Sequence, residues 1–352
     1  MDESFLIDSS ELTLRFLHPE GRRALSYKNV GGEFAPWREK CRAKLTELLN
    51  VQPPTAAPPV RELRQTTHDG VQVKALLMDL SDSLTVPAYL LVPARDRRPG
   101  TAVVAIHGHS PGNAAGCLGL KQDGYRGFAM ALARAGHLVL LPIHRGFGVL
   151  RDLAAGLRGY RMDYEQAMHF SYVCDAFVRG YTVVGENIED LLRWERWLTE
   201  KLSVRSLLAA GLSYGGDLAF AYPVFSERVE KVFASGSSGS FALHFCRCYN
   251  GPAHCVPGIC NWMERADIAG MLAPRPLAIH YGELDTPSLN EPDKARENIS
   301  AAYNEAVPEL IAEARQIYAA AAPGAEENVE LIVTKNTGHA MDVDALLRFF
   351  GK

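Results

Sequence analysis

The chain has 352 residues, of which 47% are hydrophobic and 22% are charged, and its formal net charge is −4. This length allows a large buried core, arranged as one α/β domain with added segments or as two domains. The mild acidity and the absence of a sustained Lys/Arg block argue against nucleic acid or an anionic membrane as the partner. We therefore expect a small-molecule partner.

The N-terminal sequence MDESFLIDSSELTL is acidic and lacks the basic start and long apolar run of a signal peptide. No stretch of the sequence is long and apolar enough to span a bilayer. Seven cysteines, an odd number, fit free thiols in a reducing compartment better than a disulfide framework. We expect a cytoplasmic protein.

Residues 1–59 are predicted to form an N-terminal helical extension and a proline-rich linker. The apolar positions of FAPWREKCRAKLTELLNV recur at helical spacing, and QPPTAAPPV cannot continue a helix. The extension is the candidate element for a homodimer. The next runs, VRELRQTTH, VQVKALLMDL and TVPAYLLVPA, are separated by turn signals and predict antiparallel strands at a sheet edge.

From Thr101 onwards, short apolar runs alternate with helical stretches. Buried parallel strands have this continuous apolar character, with helices as crossovers. The predicted fold of residues 60–352 is therefore α/β, a doubly wound and mostly parallel sheet with helices on both faces. Segments near 145–185 and 238–265 interrupt the alternation and follow strands, so they are candidate lid-like inserts.

The motif Gly211-Leu212-Ser213-Tyr214-Gly215 lies between an apolar run and a helical stretch. This is the G-x-S-x-G nucleophile elbow in its strand–turn–helix context. Glycines at the flanking positions avoid collisions where the strand and the helix approach each other, and the helix amides favour developing negative charge. Ser213 is the predicted nucleophile.

Two residues after later strands complete a candidate triad. Asp285 follows the run RPLAIHYG, and His339 follows VELIVT. The chain order Ser213, Asp285, His339 is the order of the α/β-hydrolase triad. Glu283 and, more weakly, Asp267 are alternative acids; Asp285 is preferred because it lies deeper in its loop and precedes Pro287.

The run TAVVAIHGHS predicts the second part of an oxyanion hole. The backbone N–H of His109 is expected to join that of Tyr214 in binding the oxyanion. His107 is interpreted mainly as a structural histidine that braces the loop. The alternative is that it contacts the substrate.

With these motifs, the chain resembles the α/β-hydrolase superfamily, in particular the bacterial esterases related to acetylxylan esterases and dienelactone hydrolases. AIHGHSPGN, GHLVLLPIHRGFG, GLSYGGDLA, ADIAGMLAPRPLAIHYGELD and TGHAMD carry the resemblance. Dienelactone hydrolases use cysteine where this chain has Ser213. The aspartate of D-x-R-G-x-G is replaced, because this chain reads Ile143-His144-Arg145-Gly146-Phe147-Gly148, and GELDTPSLN departs from the apolar pattern expected after the acid.

The second insert contains Cys246, Cys248, Cys255 and Cys260 beside His244 and His254. The paired C-x-x-C spacing of structural zinc sites is missing, so no metal is predicted and free thiols are favoured. The resembling esterases have a similar segment near their active sites, which makes Tyr249, His254 and Trp262 candidates for substrate binding. Packing of the insert against the sheet is the alternative.

The resemblance implies a serine esterase without a cofactor, acting on small acyl esters or lactones through an acyl-enzyme intermediate. A serine peptidase of the same fold that acts on short peptides is one alternative. A non-catalytic binding protein that kept the fold is another.

Overall fold

The computed structural model describes residues 22–109, 113–150, 165–237, 239–241, 251–285 and 293–351, with the side chains of 165–170 and 293–305 outside the description. None of the helices in these ranges has the length and apolar character needed to cross a bilayer.

A nine-stranded mixed sheet lies at the centre of the protein, in the order β1-β2-β3-β5-β4-β6-β7-β8-β9. The strands are β1 (Val60–His68), β2 (Val71–Ser81), β3 (Leu84–Val92), β4 (Thr101–Ile106), β5 (Leu138–Pro142), β6 (Ser206–Leu212), β7 (Val229–Ser235), β8 (Leu277–Gly282) and β9 (Val329–Thr334). The pairs β1–β2, β2–β3 and β3–β5 are antiparallel. All pairs from β5–β4 to β8–β9 are parallel. The predicted antiparallel edge and parallel body are both confirmed.

Helices pack on both faces of the sheet. They are α1 (Tyr27–Val30), α2 (Phe34–Leu49), α3 (Asn113–Cys117), α4 (Phe128–Arg134), α5 (Glu165–Val178), α6 (Val183–Leu202), α7 (Tyr214–Ala221), α8 (Arg265–Gly270), α9 (Asp293–Ala321) and α10 (Val343–Gly351).

The central strands are buried on both faces, as β6 shows. Leu207 and Ala209 belong to the core cluster that includes residues of α2, α6 and α7. Leu208 and Ala210 belong to the opposite cluster, with residues of α4 and α10. Because side chains alternate along a strand, each central strand supplies both cores, which explains its continuous apolar sequence.

The predicted N-terminal helix is α2, and it is part of the main core. Trp37, Cys41, Leu45 and Leu49 recur every four residues and are buried in the cluster on one face of the sheet. Trp37 Nε1 also donates to the Leu25 carbonyl at 2.7 Å. The helix ends at Asn50, which adopts the left-handed conformation with φ 53°. The domain boundary at residue 59 stays a prediction.

The chain reverses its direction of travel across the sheet at β4. It passes from β4 to β5 on one side and later returns to β6 on the other side. In open α/β sheets the loops that follow such strands diverge and leave a crevice at their carboxyl ends. The segments after β4 and β6 therefore border one crevice, and they carry His109 and Ser213.

Replacement of Leu45 by alanine should lower the free energy of unfolding by about 2–5 kcal/mol, because Leu45 is 1% exposed and its loss leaves a cavity. Urea denaturation followed by circular dichroism measures this change. Lys40→Ala, at an exposed position of the same helix, is the matched control and should stay within about 0.5 kcal/mol of the wild type. Equal stability of the two variants would contradict the packing of α2 in the core.

Candidate active site

Ser213 lies in strained backbone between β6 and α7. Its φ of 64° and ψ of −126° are unusual for a residue with a side chain. The residue is half-buried, and its N–H donates to the Ser235 carbonyl of β7 at 2.8 Å. This conformation turns the serine out of the strand at the carboxyl end of the sheet.

Glycines on both sides of Ser213 permit the sharp turn. A Cβ built on Gly211 would collide with the Gly215 carbonyl, and one on Gly215 would collide with the Ile106 carbonyl at the end of β4. The turn therefore forms only when neither Gly211 nor Gly215 has a side chain, because each lies directly against a backbone carbonyl. Those contacts explain why the motif carries glycine at both positions.

His339 and Asp285 form a hydrogen-bonded pair beyond β9 and β8. Nδ1 of His339 donates to Oδ1 of Asp285 at 2.8 Å, and Asp285 is 1% exposed. Burial by itself lowers the pKa of His339, but the charge of Asp285 and its hydrogen bond more than offset this effect. The pKa of His339 is therefore raised above its usual 6.5.

Gly236 brings the histidine loop close to the serine. A Cβ on Gly236 would lie 2.8 Å from Cε1 of His339 and 3.0 Å from Cδ1 of Leu212, the residue before Ser213. Gly236 also follows Ser235, whose carbonyl holds the Ser213 N–H. The three predicted triad residues therefore converge at the carboxyl ends of β6, β8 and β9.

The alternative acids occupy other positions. Oε2 of Glu283 accepts the Asn336 N–H at 3.0 Å on the surface of the histidine loop. Asp267 accepts N–H bonds from Glu264 and Tyr27 and belongs to the capping box of α8. Of these carboxylates, Asp285 is the one that bonds to the His339 ring.

The loop after β4 lies directly against the serine. A Cβ on Gly108 would be 2.9 Å from Cβ of Ser213 and 3.2 Å from the Tyr214 nitrogen. The Gly108 N–H donates to the Tyr125 hydroxyl at 2.6 Å. The Gly108 N–H is therefore engaged by Tyr125, and the next residue, His109, is the one predicted to be the second oxyanion donor.

His107 is fully buried and braces this loop. Its Nδ1 donates to the Gly108 carbonyl at 3.0 Å, and its Nε2 accepts the His144 N–H at 3.1 Å. Burial lowers the pKa of His107 to about 4, so the ring is neutral at pH 7. Burial likewise lowers the pKa of His144, whose ring centroid lies 4.5 Å from that of His107.

The Tyr214 side chain is the centre of an aromatic shell behind the nucleophile. Its ring stacks on Phe147 with centroids 5.0 Å apart and meets His109 edge-on at 5.4 Å. Asn187 Nδ2 donates to its hydroxyl at 2.9 Å. The N–H of Tyr214 thus belongs to a residue whose side chain is fixed on several sides.

Arg145 anchors the loop in which the aspartate of D-x-R-G-x-G is replaced. Its guanidinium makes two parallel bonds to Asp190, at 2.7 and 2.8 Å, and a third to Glu186 at 3.2 Å. The Arg145 N–H donates to Asn187 Oδ1 at 2.9 Å. The loop that carries Phe147 is therefore tied to α6 by charge-assisted bonds.

A second buried carboxylate, which the sequence did not suggest, lies in the first turn of α7. Asp217 Oδ2 accepts from His254 Nδ1 and from Arg265 at 2.9 Å, and Oδ1 accepts from Ser237. Arg265 is fully buried. Asp217 follows Ser213 by four residues in the sequence, but no motif marks that position.

The sequence also did not predict a chain of polar side chains that runs from β7 through β8 and β9 to the end of the loop that carries His339. His280 Nδ1 is 2.7 Å from Ser235 Oγ, and its Nε2 is 3.1 Å from Thr334 Oγ1, which donates to Asp342 at 2.5 Å. Burial lowers the pKa of His280 to about 4. Thr334 and Asp342 bracket the loop that carries His339, so their bond ties the loop ends together.

The predicted substrate-binding residues of the second insert lie in different surroundings. His254 is buried against Asp217, and Trp262 lies under the Lys44 ammonium group, 4.1 Å from its ring centroid. Tyr249, Cys246 and Cys248 lie outside the described residues, and Cys255 and Cys260 are half-buried. Within the described ranges, no group of acidic, histidine and cysteine residues could hold a metal ion.

Several solved structures share this architecture. A candidate acetyl xylan esterase from Bacteroides fragilis has a TM-score of 0.65 and 15% identity, covering 85% of this chain and 74% of that one. The methylesterase BT1017 has a TM-score of 0.60 and 17% identity, covering 96% and 68%. A glucuronoyl esterase from Solibacter usitatus has a TM-score of 0.55 and 12% identity, covering 94% and 93%.

The chain has the α/β-hydrolase fold. Neither the family models nor the curated protein sequences give a match to it. At such low identity the similarity to these α/β-hydrolases concerns the fold, so the roles of the site residues must be argued from their own geometry.

Asp285→Asn should lower the pKa of His339 below 6.5, because the burial effect then acts without the opposing carboxylate. NMR titration of the imidazole resonances measures the shift. Glu283→Gln is the matched control, since it removes the alternative acid of the same loop and should leave the His339 titration in place. A shift in the control and none in Asp285→Asn would assign the partner of His339 to Glu283.

Proposed function

We propose that the protein is a serine hydrolase that cleaves carboxylic esters, small acyl esters or lactones, through an acyl-enzyme intermediate. The observation that carries this proposal is the strained Ser213 at the elbow, together with a histidine that bonds to a buried aspartate and lies against the Gly236 segment, which also contacts Leu212. Strained backbone of this kind is retained where the surrounding structure enforces it, and it is concentrated at functional sites.

In the first step, Ser213 Oγ attacks the ester carbonyl carbon while His339 takes the hydroxyl proton. Nδ1 of His339 is bound to Asp285, so Nε2 is the nitrogen that receives the proton. Asp285 orients the ring and stabilises the imidazolium that forms. His339 then protonates the alcohol as it leaves, and water releases the acid from the acyl-enzyme by the same route.

The negative charge on the carbonyl oxygen is proposed to be bound by the N–H groups of Tyr214 and His109. Tyr214 is the first residue of α7, so its N–H is directed away from the helix and the helix dipole adds to its effect. The apposition of Gly108 to the Tyr214 nitrogen brings the two donor segments together. Each such donor contributes about 10²–10³ to the rate in comparable sites. No step of this mechanism requires a cofactor.

The packing around Ser213 supports an uncharged acyl group, since it is aromatic and the cation of the adjoining loop, Arg145, is paired. Tyr214 and Phe147 present stacked rings, and Arg145 is neutralised by its bonds to Asp190 and Glu186. The similar solved structures are described as acetyl xylan, methyl and glucuronoyl esterases, which supports the ester class without defining the alcohol. Tyr249 and Trp262 stay proposed contacts of the substrate. His107 and His254 are buried. We therefore infer that they affect substrate binding indirectly, by holding the loop that carries Gly108 and His109.

A peptidase of short peptides and a non-catalytic binding protein are the other candidate functions. The rates with 4-nitrophenyl acetate and with aminoacyl 4-nitroanilides separate esterase from peptidase. Labelling by a fluorophosphonate probe at Ser213 separates both enzymes from a binding protein. Location in the cytoplasm and assembly as a homodimer stay predictions.

Ser213→Ala should lower kcat for 4-nitrophenyl acetate by a factor on the order of 10⁴ to 10⁶, because the nucleophile is lost while the oxyanion donors remain. Fluorophosphonate labelling should disappear in the same variant.

Ser206→Ala is the matched control. Ser206 lies at the opposite end of β6, where its hydroxyl bonds to that of Thr101 at 2.9 Å. Its activity and labelling should equal those of the wild type. Full ester hydrolysis by Ser213→Ala would refute the proposed function.

A further inference from the structure

A chain of three side chains connects the nucleophile helix to the oxyanion loop through the second insert. Asp217 of α7 accepts from His254 Nδ1, and His254 Nε2 lies 3.3 Å from His109 Nδ1. The two imidazole rings are nearly parallel, at 14°, with centroids 4.9 Å apart. His254 lies in residues 251–265, the longer of the two described parts of the insert.

The hydrogen bonds determine where the protons lie in this chain. The carboxylate of Asp217 is an acceptor, so His254 Nδ1 carries the hydrogen. In a neutral His254 the Nε2 atom is then an acceptor, and the donor is Nδ1–H of His109. Burial lowers the pKa of His254, which Asp217 raises and Arg265 and His339 lower, so His254 is neutral at pH 7. The bond from Asp217 thus sets the tautomer of both rings.

The insert also contacts the other ring nitrogen of His109, Nε2, and so restricts the position of the ring. A Cβ on Gly251 would lie 2.5 Å from His109 Nε2, so the backbone of the insert is directly against the ring. The ring of Phe147 meets His109 edge-on at 4.9 Å. His109 is therefore enclosed by two residues of the insert and by the loop that Arg145 anchors.

We propose that His254 is a positioning residue: anchored by Asp217, it holds the His109 imidazole and thereby sets the backbone N–H of His109 as the second oxyanion donor. This inference rests on the proposed function. It assigns the insert a part in transition-state binding, since an oxyanion donor displaced by about 1 Å costs on the order of 10² in rate.

The test compares His254→Phe, His254→Gln and His109→Phe in ester hydrolysis. His254→Phe keeps a ring beside His109 but removes both nitrogens, and should lower kcat about 10- to 100-fold while KM changes less than about threefold. In His254→Gln the side-chain amide reaches the place of Nε2 and can accept from His109, so it should recover most of the lost kcat. His137→Gln, a buried histidine at the start of β5, is the control and should keep wild-type kcat.

The double variant His109→Phe/His254→Phe distinguishes positioning from general damage to the fold. Since both substitutions break the same chain, the double variant should lose no more kcat than the more impaired single variant. The acid limb of kcat/KM should stay in place, because the pKa of His339 depends on Asp285. Affinity for a trifluoromethyl ketone, which forms a tetrahedral adduct with Ser213, should fall by the same factor as kcat/KM.

Unchanged kcat in His254→Phe, additive losses in the double variant, or an effect confined to KM would each overturn the inference. If His254→Phe fails to fold by circular dichroism, His109→Phe, which breaks the same contact, carries the test and should lower kcat about 10- to 100-fold. Activity retained by Ser213→Ala would instead reject the proposed function, so the two failures are distinguishable.

Discussion

The candidate site depends on the direct contact of bare backbone between the end of β4 and the turn after β6. Gly215 meets the Ile106 carbonyl and Gly211 meets Gly215, with no room for a side chain at either glycine. This close approach forces Ser213 into its positive φ and places Gly108 against the Tyr214 nitrogen. Ser213, the proposed nucleophile, and the segments proposed to bind the oxyanion are therefore positioned by one contact within the sheet.

The other segments of the site are attached to this contact by polar bonds. Tyr125 binds the Gly108 N–H through its hydroxyl, and the neighbouring Gly124 accepts the Met341 N–H at 2.8 Å. Gly124 also packs against the His339 carbonyl. Gly124 and Tyr125 thus contact both the loop after β4, which carries Gly108, and the loop after β9, which carries His339. The positions of these two loops are therefore coupled.

The fold and the centre of the site could be predicted from the sequence, whereas the supporting network could not. The apolar runs that form β4, β5, β6 and β8 are buried on both faces, and this burial produces their continuous apolar pattern. Ser213 is marked by a local glycine motif, and Asp285 and His339 by their places after strands.

Asp217, Arg265 and His254 carry no such local mark. Their contacts join positions 37 and 48 residues apart, and they form only when the insert folds onto α7. The resemblance indicated that the segment with His254 lies near the site, but it gave no role to the imidazole beyond a candidate contact with the substrate. The partner of His254 is a carboxylate on another element, which no spacing rule within the insert reveals.

The two carboxylate–histidine pairs show why similar contacts give different chemistry. Burial acts to lower the pKa of both His339 and His254, and both rings bond to a buried aspartate through Nδ1. The net shift nevertheless differs between the two histidines. For His254, burial is the largest effect and lowers the pKa, and Arg265, which shares the carboxylate of Asp217, lowers it further, so the pKa stays below the usual value. No cation contacts Asp285 among the described residues, and its charge acts on His339 undiminished. His339 therefore takes up a proton more readily than a free imidazole does, as its proposed role of general base requires, while His254 keeps one tautomer, as its proposed positioning role requires.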